Sequence, residues 1–98
     1  MKHEKRIQQI AVYYGAWHQV EKSAEELNEA ADACRQYMER PDVERFEHLA
    51  EEFADAQIMI DQLRILFPHL VPMMTKWRNK KLARQMKRIA EEKEARRR

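Results

Sequence analysis

The chain has 98 residues, 37% of them charged and 44% hydrophobic, with a formal net charge of +2, one glycine, three prolines and one cysteine. That length accommodates one domain with little core of its own, for which homo-oligomerisation is the expected remedy. The composition excludes a sheet, a bilayer-spanning segment and an internal disulfide, and leaves an all-α protein.

Helical periodicity starts at Ile7 and continues through Ile10, Tyr14 and Trp17 at intervals of three or four. Gly15 either bends this helix or ends a short first one, at about 1 kcal/mol relative to alanine. Ser23-Ala24-Glu25-Glu26 matches a capping box. The apolar stripe nevertheless runs through Val20 and Ala24 without a phase break, which favours continuation to Pro41. Asp42 is placed to cap the next helix, which carries Phe46, Leu49, Phe53, Ile58, Ile60, Leu63 and Leu66 and stops before Pro68. Its second half is apolar on nearly every side, as in a helix surrounded by others. Pro68 to Pro72 forms a turn, and a last helix runs from about Met73 to the early nineties, anchored by Trp77, Leu82 and Met86. The expected fold is a compact bundle of about four helices over residues 1–94, completed by oligomerisation, with a frayed basic tail at 95–98.

Charge is distributed unevenly. Residues 76–98 hold eleven basic side chains against three acids, a net +8, which leaves −6 for residues 1–75. An acidic body with a basic last helix suits a divalent cation on one side and phosphates on the other, or an acidic bundle with an RNA-binding tail. The opening Met1-Lys2-His3-Glu4-Lys5-Arg6 lacks a signal-peptide core, and Cys34 falls on an apolar stripe. A reducing cytoplasm is the expected compartment.

Two acidic pairs share one spacing, Glu26/Glu29 and Glu52/Asp55. Acids three apart occupy one helix face, so two antiparallel helices would bring four carboxylates together. Such a cluster suits hard cations such as Mg²⁺, with Mn²⁺ as a substitute. The spacing recurs elsewhere in this acid-rich chain, and most such pairs are solvated helix faces. Glu52/Asp55 differs because Met59, Leu63 and Leu66 continue its face and turn it inward. Glu26/Glu29 lies off the main stripe of its helix (Trp17, Ala24, Leu27, Ala31, Cys34, Met38), on a side where Ala30 and Ala33 permit close helix approach.

Taken in order, Gln19-x-x-Lys22-x-x-Glu25-Glu26-x-x-Glu29, then Glu51-Glu52-Phe53-Ala54-Asp55 with its aliphatic run, then Lys81-x-x-Arg84 resemble the MazG-like family. This is the all-α nucleoside triphosphate pyrophosphohydrolase superfamily, and the resemblance covers roughly residues 15–90. It implies Mg²⁺-dependent hydrolysis of a nucleoside triphosphate to monophosphate and pyrophosphate by a homodimer or homotetramer. It also implies Glu26, Glu29, Glu52 and Asp55 as metal ligands, and Lys22, Lys81 and Arg84 as phosphate contacts. Glu25 or Glu51 would serve as the base. Trp17, with His18 and Tyr14, could stack on the nucleobase, although Trp17 and Tyr14 also sit on the apolar stripe, where core or interface is the commoner use. His48 and His69 read as surface or helix-end residues.

The competing reading is a non-catalytic helical module that binds nucleic acid or a protein partner through the basic last helix. It has no helix-turn-helix signature and leaves the inward acids unexplained, so nucleic acid is the less favoured partner. The chain has no Glu-x-x-His pair, which argues against a di-iron bundle of that type.

Overall fold

Breakers and caps in the sequence set the four helices of the computed structural model, which describes residues 4–97. Met1 to His3 and Arg98, read above as part of the opening segment and the basic tail, lie outside the described residues. Helix α1 spans Lys5–Tyr14, α2 Ala16–Glu39, α3 Val43–Leu66 and α4 Leu70–Arg97, with no strand among the described residues. Gly15 ends α1 and opens α2 with φ 85° and ψ 167°, a region open to glycine and closed to side-chain-bearing residues. The short first helix is therefore the correct one of the two options at Gly15. Ser23 starts nothing; it sits inside α2, 4% exposed, and its Oγ donates to the Gln19 carbonyl at 2.7 Å.

Arg40, Pro41 and Asp42 turn the chain between α2 and α3. The Asp42 carboxylate accepts from the Arg45 backbone N–H at 2.8 Å, which caps α3 as its position suggests. That hydrogen bond, above the other influences, holds the Asp42 carboxyl below its usual range. Two 24-residue helices joined so tightly run antiparallel. The register confirms it: Gln19 pairs with Gln62 and Glu26 clusters with Asp55, so seven residues forward on α2 match seven back on α3. At the hairpin end Tyr37 packs on Phe46, ring centroids 5.5 Å apart.

The interior of α1–α3 is built from small and polar side chains. Ala11, Ala30, Ala33, Ala56 and Met59 are its buried apolar residues, and Gln19, Ser23, Glu26, Glu52 and Gln62 are buried beside them. Small residues let helix axes approach, and here that surface of α2 faces α3. The longer apolar stripe of α2 faces outward, with Trp17 and Met38 each more than four-fifths exposed and Leu27 about half exposed. On α3, Phe46, Phe53, Ile58 and Ile60 are exposed as well, so α1 and α2 do not cover those sides of it.

The molecule divides into two units, α1–α3 through Pro68 and the α4 segment from His69. Within its own unit, α4 begins three residues earlier than the sequence suggests and remains helical to Arg97, beyond the early nineties. Thr75 donates to the Val71 carbonyl at 3.1 Å, and the Lys80 ammonium sits 5.3 Å from the Trp77 ring centre. None of its described residues is buried.

A Gly15→Ala substitution meets no steric obstacle, since nothing lies within 4 Å of the added carbon. Its cost is backbone strain alone, about 1–3 kcal/mol. Urea denaturation followed by circular dichroism should show a lower midpoint with an unchanged slope.

Candidate metal centre

Close approach of α2 and α3 over Ser23, Ala30, Ala33 and Ala56 places one carboxylate of α2 against two of α3. Ligand oxygens of Glu26, Glu52 and Asp55 lie within 4.8 Å of one another. Glu26 and Glu52 are only 9% and 7% exposed, and Asp55 is the more open of the three. One oxygen of Glu52, Oε2, is buried without any hydrogen-bond partner. A carboxylate removed from water and left unpaired is costly, and either a cation or a proton donor would relieve it. An all-oxygen donor set of this kind matches hard divalent cations, so the residues present fit Mg²⁺ or Mn²⁺.

The fourth expected ligand, Glu29, is exposed and is not in this cluster. Glu52 instead has neighbours on its own helix. His48 Nδ1 lies 3.9 Å from Glu52 Oε1 and 4.0 Å from Glu51 Oε1. His48 is half-exposed, in keeping with a surface position, and its spacing of four from Glu52 brings the two side chains together.

Lys22 stands one turn before Glu26, with its ammonium 3.3 Å from Glu25 Oε2 and 3.4 Å from Glu26 Oε1. Glu25 first, and Glu26 after it, hold the Lys22 ammonium above the usual lysine value. The buried acids therefore already have one cation at their edge, on a half-exposed stem.

Glu26 and Asp55, with Lys22 and Glu25, form one end of a cavity of about 570 Å³ lined by α1, α2 and α3, and Glu52 is outside its lining. Ile10, Tyr14, His18, Ile58 and Met59 wall the rest. Tyr14 and His18 stack on each other, ring centroids 4.8 Å apart and planes inclined by 14°. Trp17 is 82% exposed and does not line the cavity. Gln19 and Gln62, absent from the expected site, are buried and line it, joined by a 2.6 Å hydrogen bond. Both stand on the inward faces already marked by the acids, at positions where a polar residue is unusual. Lys81 and Arg84 belong to α4 and are exposed there.

No protein-family model matches this chain, and no curated protein or solved structure matches it either.

Exchange of Glu52 for Gln keeps the side-chain shape and removes the formal charge. In EDTA, Glu52→Gln should melt at or above the temperature of the parent. With millimolar Mg²⁺ the parent should rise by several degrees and the variant should not, as read by differential scanning calorimetry. An equal Mg²⁺ response in both proteins would remove Glu52 from the centre.

Proposed function

We propose that the protein is a Mg²⁺-dependent nucleotide pyrophosphohydrolase that converts a nucleoside triphosphate to the monophosphate and pyrophosphate. The observation that supports this best is the junction of Glu26, Glu52 and Asp55, with its unpartnered buried oxygen, and a cavity large enough for a nucleotide. The order and spacing of the acidic pairs, which resemble those of the MazG-like family, point the same way.

In this reading Glu26, Glu52 and Asp55 hold the ion. Bound there, Mg²⁺ would polarise the phosphoryl group and offset charge on the leaving pyrophosphate. Lys22 exchanges its contacts with Glu25 and Glu26 for phosphate oxygens, which are better partners for an ammonium at a partly desolvated edge. Glu25, freed from Lys22, accepts a proton from the attacking water. It lines the cavity, whereas Glu51 does not, and this favours Glu25 over Glu51 as base. Lys81 and Arg84 are assigned to the triphosphate by the family resemblance alone.

A homodimer or homotetramer belongs to the same proposal. The outward stripe of Trp17, Leu27 and Met38 on α2 and the exposed Phe46 and Phe53 on α3 are large apolar side chains on neighbouring helices of one small unit. Surfaces of this kind mark contacts with another protein surface. No helix among the described residues is long and apolar enough to cross a membrane. A reducing cytoplasm, the setting expected from the sequence, is consistent with an intracellular nucleotide as substrate.

The basic α4, none of whose described residues is buried, favours one other reading, a helical module that binds nucleic acid or an acidic partner without turnover.

Incubation with Mg²⁺ and a panel of ribo- and deoxynucleoside triphosphates separates the two. The expected products are monophosphate and pyrophosphate, lost with EDTA and reduced at least a hundredfold in Glu52→Gln and Asp55→Asn. Lys81→Ala should raise KM and leave Mg²⁺ binding intact. Absence of turnover together with salt-dependent RNA binding would favour the module. Sedimentation velocity tests the assembly: the parent should run as a dimer or larger, and Leu27→Glu should shift it toward the monomer.

A further inference from the structure

The uncharged end of the α1–α3 cavity has a polar floor that a cation and a phosphate chain do not use. Gln62 and Gln19 are each only 2% exposed, and both line the cavity. They belong to a chain of hydrogen bonds that runs from His18 to Met59. His18 Nδ1 lies 2.6 Å from Gln19 Oε1, Gln19 Nε2 donates to Gln62 Oε1 at 2.6 Å, and Gln62 Nε2 meets Met59 Sδ at 3.6 Å.

The thioether fixes the direction of the chain. Were both amides turned over, Gln62 Oε1 would face Met59 Sδ, two lone-pair atoms with no proton between them. With the amides as they stand, Gln19 Oε1 accepts, so His18 carries its proton on Nδ1. At the other end, Gln62 Nε2 has a thioether as acceptor, among the weakest available to an N–H. A buried amide N–H left with a weak acceptor gains strongly when an oxygen replaces it.

The walls around this donor suit a flat ring. Ile10, Ile58 and Met59 supply apolar contact, and the stacked Tyr14–His18 pair adds aromatic surface. On the nucleotide reading, in which a cation at the acids would draw phosphate to that end, an occupant that spans the whole cavity is anionic there and planar, with a hydrogen-bond acceptor, at the other end.

We infer that this end receives the nucleobase and that Gln62 Nε2 donates to an exocyclic carbonyl oxygen on it. Uracil, thymine, cytosine and guanine carry such an oxygen; adenine does not. Base selection then lies in α3, ten residues beyond the metal-centre Glu52, and not at Trp17. The inference rests on the nucleotide reading of the acidic end, and it is testable without turnover.

Isothermal titration of UMP, CMP, GMP and AMP into the full chain with Mg²⁺ measures it directly. The tightest of the carbonyl-bearing three should bind roughly tenfold or more tightly than AMP, the scale of one well-made hydrogen bond to a buried donor. Gln62→Met, with its fold checked by circular dichroism, should close that gap and leave AMP binding within about threefold of the parent. The four-base series in the parent stands whether or not the variant folds. AMP equal to the best of the others, a folded Gln62→Met that keeps the gap, or no binding by any monophosphate would each overturn the proposal. Loss of triphosphate hydrolysis with the base preference intact would instead count against the reaction assigned above.

Discussion

Small side chains along the facing surfaces of α2 and α3 determine where everything else in the first unit can be. Helices packed over leucines keep their axes some 8–10 Å apart, and the side chains fill the gap. Here Ser23, Ala30, Ala33 and Ala56 occupy the contact surfaces, and the space goes to Glu26, Glu52, Gln19 and Gln62. The antiparallel register then brings Glu26 to Asp55 and Gln19 to Gln62 at once. A larger residue at Ala33 or Ala56 would act on the acid cluster and the amide pair together, because both hang from the same helix spacing.

That arrangement has an energetic consequence. Met59 is the one large aliphatic side chain among the buried residues of α1–α3, so hydrophobic burial inside the unit is small. Its interior also holds a carboxylate oxygen without a partner, a group that opposes folding until something binds it. Two sources can restore the balance: a cation at the acids, and apolar contact over the outer faces of α2 and α3. If the proposed cation and assembly both occur, each would be coupled to stability, since whatever binds the folded unit selectively stabilises it.

Much of this was legible in the residues. Gly15, Pro41 and Pro68 divide the first three helices, and Asp42 caps the third as its position suggests. Met59, at the same face as Glu52, marked that pair as inward, and Ala30 and Ala33 marked the side of α2 that takes close contact. Other features needed the register. Periodicity finds an apolar stripe that wants cover and is silent about what covers it, which is why the stripe through Trp17 and Leu27 looked like core and lies outside. Gln19 and Gln62 are 43 residues apart and become a pair only when the two helices are aligned. Glu29 and Glu26 share a spacing that satisfies the ligand pattern on paper, yet a helix face is wide, and only Glu26 reaches the Glu52 side.

If the proposed function holds, Lys22 has one partner before a cation binds and another after it. Its contacts with Glu25 and Glu26 are on the rim, where water and salt screen an ion pair and keep it weak. Such a pair is enough to keep two neighbouring acids from repelling each other, and too weak to exclude a divalent cation that several oxygens hold at once. Were a cation to take Glu26, the ammonium would lose a partner and remain at the lining of the same cavity. A triphosphate, on the proposed function, would enter with its base toward Gln62 and bring its negative charge to that position. On the proposed function, the lysine would hold the place of the metal before binding and pair with phosphate after it, and its half-exposed stem leaves it able to change partners.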